Sequence, residues 1–123
     1  MPAFSSTEIA ILIAAVLVAA ACFLFRRRPR AAFGAEGLGQ LVERGALVLD
    51  VRTPVEFSAG HARGSRNIPL DALGRRLGEL DRSRPIIAVC ASGARSSAAV
   101  RILRAAGFQD VHNAGPWQSL VNR

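Results

Sequence analysis

The chain has 123 residues and two cysteines, which leaves room for one domain with a short extension and too few thiols for a disulfide scaffold. Its formal net charge of +7 comes from sixteen arginines, with no lysine, against nine acidic residues. Four arginines lie within residues 26–30, and the chain beyond them holds twelve arginines against eight acids, so a nucleic-acid-binding protein is not favoured.

The N-terminal region contains a long apolar run. Residues 1–8 form a short tail, and all 17 residues from 9 to 25 are apolar. As a helix this run reaches about 25 Å, close to the hydrocarbon core of about 30 Å, and flanking arginines can cover the difference by snorkelling. A domain this small has no interior that could surround a helix apolar on every side. The run therefore predicts one transmembrane helix.

Two alternatives to an uncleaved anchor remain open. A signal peptide would carry positive charge before the run, where this chain has Glu8. A lipoprotein cleavage site would use Cys22, but more apolar residues and the arginines follow it. Because the arginines stand on the C-terminal side, in a basic juxtamembrane linker at 26–37, the positive-inside rule predicts a single-pass protein of the cytoplasmic membrane. The arginines would contact membrane lipid, and the domain from residue 38 to 123 would lie in the cytoplasm.

The domain begins with an alternation of helical and strand patterns. Leu38, Leu41 and Val42 repeat at helical spacing, with Gly45 placed as the C-terminal cap. The apolar run 46–51 predicts a strand buried on both faces. Thr53-Pro54 then starts a brief helix, since proline is tolerated in a first turn.

The pattern continues to the C-terminus. A short strand is predicted at 65–68, and Asp71 is predicted to cap a helix whose stripe is Leu73, Leu77 and Leu80. Further elements are expected as a strand at 86–90, a helix from Ser96 or Ser97 to Ala106, and a last strand at 110–114. Strands that alternate with helices indicate an α/β protein with a parallel sheet covered by helices on both faces.

Cys90 stands at the point where such folds place reactive groups, the carboxyl end of a buried strand. The small residues Ala91, Ser92, Gly93 and Ala94 would let backbone N–H groups surround the sulfur, with Arg95 just before the next helix. Amides, a helix N-terminus and a guanidinium all favour an anion, so the pKa of the Cys90 thiol should fall. Such a thiolate is a nucleophile. A buried structural cysteine is the alternative.

Several motifs in order resemble the rhodanese family. They are LVLDVRTPVEFSAGHARGSRNIPLDAL, the loop CASGARS and the segment AAGFQDVHNAGPW, and they cover the chain from Leu38 to Trp117. The resemblance implies a rhodanese-like parallel sheet between helices, preceded here by one transmembrane helix. It also implies a sulfurtransferase reaction that uses neither a metal nor another cofactor.

The family's site residues carry over by position. Cys90 would be the nucleophile that accepts sulfur as a persulfide, and the amides of Ala91, Ser92, Gly93, Ala94, Arg95 and Ser96 would form its cradle. Arg95 would hold the loop or an anionic donor. Arg52 would either bind the donor or brace the loops through an ion pair, and Asp50 is expected to be a bracing acceptor.

The resemblance also bears on the substrate. Related phosphatases carry one more residue between cysteine and arginine, so the four residues here fit a single sulfur better than a phosphate. Members that use thiosulfate often carry a basic residue directly after the cysteine, where this chain has Ala91, so a persulfide or polysulfide is the expected donor over thiosulfate. His61 is expected to make a structural hydrogen bond.

Two functions follow from these observations. The first is a membrane-anchored sulfurtransferase that moves a sulfane sulfur from thiosulfate, a persulfide or a polysulfide to a thiol acceptor or a sulfur-accepting protein. The second is a rhodanese-like module that binds a partner at the membrane with little turnover. An intact Cys90 loop favours the first.

Overall fold

The computed structural model describes residues 3–26 and 35–121, which fall in two separate units, one N-terminal and one beginning near residue 33. The N-terminal unit is a single helix, α1 (Ser6–Arg26). Its segment Ser6–Phe23 is long and apolar enough to cross a membrane, and none of that segment is buried. The helix is therefore a candidate for a membrane anchor or for a signal sequence, since both have these properties. The basic linker predicted at 26–37 lies largely outside the described residues.

The second unit is a four-stranded sheet in which every neighbouring pair of strands is parallel. Its strands are β1 (Leu47–Asp50), β2 (Arg66–Asn67), β3 (Ile86–Cys90) and β4 (Val111–Pro116), in the spatial order β2-β1-β3-β4. A register shift between Ala88 and Val89 marks an irregularity in the pairing of β3 with β4. β1 and β3 lie in the middle of the sheet and are buried along their whole length, as their apolar runs predicted.

Helices cover both faces of the sheet, which confirms the predicted α/β architecture. They are α2 (Ala35–Glu43), α3 (Pro54–Ala59), α4 (Leu70–Leu73) and α5 (Ala94–Ala105), with short 3-10 turns at Leu77–Glu79 and Trp117–Leu120. Side chains of β3 alternate between the two faces, as the strand geometry requires. One core gathers Ile86, Ala88 and Cys90 with Leu73 of α4 and Leu103 of α5.

The opposite core is smaller. It joins Val48, Ile87 and Val89 of the central strands to Leu38 and Leu41 of α2. The helical spacing of those two leucines is therefore explained by burial. α2 ends before Gly45, whose φ of +90° is in the left-handed region that a helix-terminating glycine adopts.

The helix expected from Asp71 to Leu80 is wrong in its extent. α4 covers only Leu70–Leu73, its N-cap is Pro69, and Asp71 lies inside the first turn instead of capping it. Gly74 and Gly78 lower helix propensity in this stretch, and the chain continues as a 3-10 turn. The predicted leucine stripe still faces the core, where Leu73 is 0% exposed.

Candidate functional site

Cys90 is the last residue of β3 and lies at the carboxyl edge of the sheet, beside the end of β1. Residues 91–93 connect it to α5. In parallel sheets this edge faces the N-termini of the following helices, which carry unpaired N–H groups. The side chain of Cys90 is 0% exposed and belongs to the core on the α4 and α5 side. The fold therefore places the thiol at a helix N-terminus, beneath a short loop.

Direct hydrogen bonds hold the sulfur in this position. The N–H of Gly93 donates to Cys90 Sγ at 2.9 Å, and the thiol donates to Ser96 Oγ at 3.3 Å. The hydroxyl of Ser96 donates in turn to the carbonyl of Gly93, at 3.0 Å. Gly93 has a φ of +113°, a conformation that side chains rarely adopt, so glycine is needed where the loop turns its N–H toward the sulfur.

These contacts change the acidity of the thiol. Burial is the largest single influence and raises the pKa of Cys90, but the hydrogen bond between the thiol and the Ser96 hydroxyl, together with those from the N–H groups of Ser96, Gly93 and Ser92, outweighs it. The net result is a pKa below the ordinary value for cysteine. The thiolate, which is the nucleophilic form of cysteine, is thereby favoured.

The six residues predicted to form the cradle divide into two groups. Ser92, Gly93 and Ser96 make the contacts that lower the thiol's pKa, and Ala91, Ala94 and Arg95 are not among them. The cradle amides of Ala91, Ala94 and Arg95 stay a prediction.

The start of α5 was predicted two or three residues too late. The carbonyl of Gly93 accepts the N–H of Ser97 at 3.0 Å, and the helix begins at Ala94 because the left-handed Gly93 ends the loop at that point. Arg95 is therefore in the first turn of α5 and not before it.

Arg95 points to α3 and forms a bidentate ion pair there. Its Nη1 and Nη2 atoms donate to Glu56 Oε1 and Oε2 at 2.7 and 2.9 Å. The two side chains are 35% and 36% exposed, so water screens the pair in part. The hydrogen bond to Glu56 raises the pKa of Arg95, and the charges of Cys90 and Asp50 add to that effect. Arg95 thus joins the first turn of α5 to α3, and its predicted role toward an anionic donor stays a prediction.

Glu56 is a residue of the site that was not predicted from the sequence. It occupies the third position of α3 in a capping box: the N–H of Thr53 donates to its carboxylate, and its own N–H donates to Thr53 Oγ1. The hydrogen bonds from Arg95, followed by that from the N–H of Thr53, lower the pKa of Glu56 from 4.5 to about 2. The pattern Thr-x-x-Glu was visible in the sequence and predicts the capping box, although not the arginine that the carboxylate also holds.

Asp50 and Arg52 form a second, buried pair at the end of β1. Arg52 Nη2 lies 2.8 Å from Asp50 Oδ2, and these side chains are 5% and 0% exposed. Arg52 also donates to the carbonyls of Glu56 and Gly60, at 3.3 and 2.7 Å, which ties both ends of α3 to the sheet. The guanidinium carbon lies 4.8 Å from the ring centre of Trp117. These contacts brace the end of β1 and the helix α3, while a role of Arg52 in binding the donor stays a prediction.

Two other polar residues support the same edge. The side-chain amide of Asn67 donates to the carbonyls of Asp50 and Arg52, at 3.0 and 2.9 Å. His61 Nδ1 lies 2.7 Å from the carbonyl of Phe57, and the two rings stack at 3.7 Å, which is the structural hydrogen bond expected of this histidine. Within residues 3–26 and 35–121, no cluster of three or more His, Cys, Asp or Glu side chains could hold a metal ion.

Comparison with known proteins identifies a family and several relatives of this chain. The Rhodanese-like domain family matches residues 35–115. Thiosulfate sulfurtransferase GlpE of Pseudomonas aeruginosa is 36% identical over 78 residues, which cover 63% of this chain and 71% of GlpE. The Bacillus subtilis protein YqhL is 40% identical over 70 residues, but the match spans 57% of this chain and only 56% of YqhL.

A solved structure shows the same fold. The structure described as a rhodanese with anions from E. coli is 30% identical, with a TM-score of 0.58 over 61% of this chain and 91% of that chain. The family match begins with α2 and ends one residue before the end of β4, so it covers the Cys90 loop and all of the sheet except Pro116. From α2 into the last strand, this chain belongs to the Rhodanese-like domain family.

Proposed function

We propose that this protein is a sulfurtransferase that carries sulfur as a persulfide on Cys90. The observation that carries the proposal is the hydrogen bonding of Cys90 Sγ to Gly93 and Ser96 at the N-terminus of α5, with a thiol pKa below the ordinary value. Such a site stabilises a thiolate, and the same N–H groups can hold the added sulfur of a persulfide.

The reaction has two displacement steps. In the first, the Cys90 thiolate attacks the outer sulfur of a donor; a new S–S bond forms, the donor's S–S bond breaks, and sulfite or a thiolate leaves with the electron pair. In the second, an acceptor thiolate attacks the outer sulfur of the Cys90 persulfide and releases the Cys90 thiolate. No net oxidation occurs. The acceptor is a small thiol or a sulfur-accepting protein.

The donor must reach a thiol that is 0% exposed. We expect a small shift of the loop at 91–93 to open it, since those residues are Ala, Ser and Gly and displace little packing when they move. The likeness to GlpE, which is named a thiosulfate sulfurtransferase, supports the reaction type.

The apolar helix α1 supports a location at the membrane. We expect it to remain uncleaved as a single anchor in the cytoplasmic membrane, with the domain in the cytoplasm because of the arginines after it. Protease added to intact and to opened spheroplasts tests this. The domain should resist digestion until the spheroplasts are opened, and digestion of intact spheroplasts would contradict the orientation.

The full chain, purified in detergent, tests the activity. Incubation with thiosulfate or glutathione persulfide should add one sulfur atom to the intact mass, and a thiol acceptor should remove it. The gain should vanish in Cys90→Ser and persist in the matched control Cys22→Ser. No gain with either donor would favour the alternative, a binding module at the membrane with little turnover.

A further inference from the structure

The two arginines considered as donor ligands are both held by carboxylates. Arg52 donates from Nε and Nη2 to Asp50, from Nη1 to the carbonyl of Glu56, and from Nη2 also to the carbonyl of Gly60. Arg95 gives Nη1 and Nη2 to Glu56. An arginine that binds a sulfonate would present a bidentate edge and an uncompensated charge to the anion. In this structure each guanidinium gives one bidentate edge to a carboxylate, which also compensates its charge.

The two ion pairs differ in burial. The Asp50–Arg52 pair is buried, so its separation would leave an uncompensated charge in the core. The Glu56–Arg95 pair is about one-third exposed, and Arg95 belongs to the first turn of α5, the helix whose N-terminus faces Cys90. Arg95 is therefore the guanidinium that could be released toward a donor, and Glu56 is the group that prevents it.

We infer that Glu56 is a specificity-determining residue, which holds Arg95 away from the donor and so favours persulfide and polysulfide donors over thiosulfate. Thiosulfate brings two negative charges to a thiolate, and sulfite leaves with two. Without a free guanidinium the site offers that sulfonate only N–H groups. A protonated persulfide brings an uncharged outer sulfur, so its reaction needs no such cation. This inference rests on the proposed function.

Glu56→Gln is a conservative test. Glutamine keeps the size of the side chain and can serve in the capping box with Thr53, so α3 should be retained. It removes the charge that holds Arg95. The matched control is Glu79→Gln, because Glu79 also forms a bidentate pair, with Arg76, and is 40% exposed.

The experiment measures rates of Cys90 persulfide formation in the full chain in detergent, by intact mass, with thiosulfate and with glutathione persulfide. The parent should load faster from the persulfide. Glu56→Gln should raise the ratio of the thiosulfate rate to the persulfide rate about tenfold, the change that one charge-assisted hydrogen bond to the transition state supplies. Glu79→Gln should leave the ratio unchanged, and Glu56→Gln with Arg95→Gln should lose the gain.

Three results would overturn the inference. They are equal use of both donors by the parent, an unchanged ratio in Glu56→Gln, and a gain that persists without the arginine. Any of these, with sulfur still loaded on Cys90, leaves the proposed function intact. If neither donor loads Cys90 in the parent, the proposed function fails and the inference fails with it.

Discussion

Replacing Ser96 with alanine should make the Cys90 thiol less acidic and less reactive near neutral pH. Ser96 is 0% exposed, and its hydroxyl lies 3.3 Å from the sulfur. When the thiol ionises, the hydroxyl can rotate from the Gly93 carbonyl and donate to the sulfur, which stabilises the thiolate. Alanine removes this donor but leaves the N–H of Gly93 in place.

The size of the effect can be worked out in two steps. A hydrogen bond to a charged group contributes about 1.5 kcal/mol or more, and its loss lowers the thiolate population about tenfold at a pH below the thiol's pKa. A more basic thiolate is also more nucleophilic, with a Brønsted coefficient of about 0.4–0.5, which recovers about threefold. The net expectation is a fall of about three- to fourfold in the alkylation rate.

The assay follows alkylation by iodoacetamide across pH, in the full chain with Cys22→Ser so that one thiol reacts. The reactivity curve of Ser96→Ala should move to higher pH. Ser97→Ala, one residue along the same helix turn, is the control and should overlay the parent. If the Ser96→Ala curve overlays the parent or moves to lower pH while the fold is retained, the role given to the hydroxyl is wrong.

Three further predictions concern the stability of the fold. Unfolding is monitored in each case by the fluorescence of the single tryptophan. Asp50→Asn should lose about 3 kcal/mol in urea unfolding, because it leaves a buried guanidinium without its partner; a loss below about 1 kcal/mol would contradict a desolvated pair. Leu103→Ala, at a 0% exposed core position, should lose about 2–5 kcal/mol, whereas Val55→Ala, 80% exposed, should change stability by less than about 0.5 kcal/mol; equal losses would refute the core assignment. The pKa of Glu56 is about 2 in the fold against 4.5 ordinarily, so its pairing with Arg95 stabilises the fold fully above pH 4.5 and is lost as the pH falls toward 2; acid titration of Glu56→Gln should show a shallower loss over that window, and identical titrations would contradict the pairing.

Much of the fold could be predicted because its signals are local. The runs 46–51 and 86–90 are apolar without interruption, and buried parallel strands require this. Gly45 was predicted as the C-terminal cap of the first helix of the domain, and it has the positive φ that such a cap adopts. The failures were local as well: Gly74 and Gly78 divide a leucine stripe that looked like one helix, and a left-handed Gly93 starts α5 earlier than expected.

The site was predictable in its centre and less so around it. The position of Cys90 and the direction of its pKa follow from a strand end, small residues and a helix start, which are neighbours in the sequence. The pair of Arg95 with Glu56 joins residues 39 apart, and its geometry depends on how α3 and α5 meet at the sheet edge. Several carboxylates could have paired with that arginine, so only the tertiary structure selects one.

The order of the strands has a consequence for how the protein behaves when many copies are close together. One outer strand, β2, is only two residues long and is followed by Pro69; the other, β4, contains Gly115 and ends in Pro116, beside the irregular pairing with β3. Neither border offers a long, regular row of free backbone groups to a neighbouring molecule. Copies crowded on one surface would therefore resist joining into continuous intermolecular sheets.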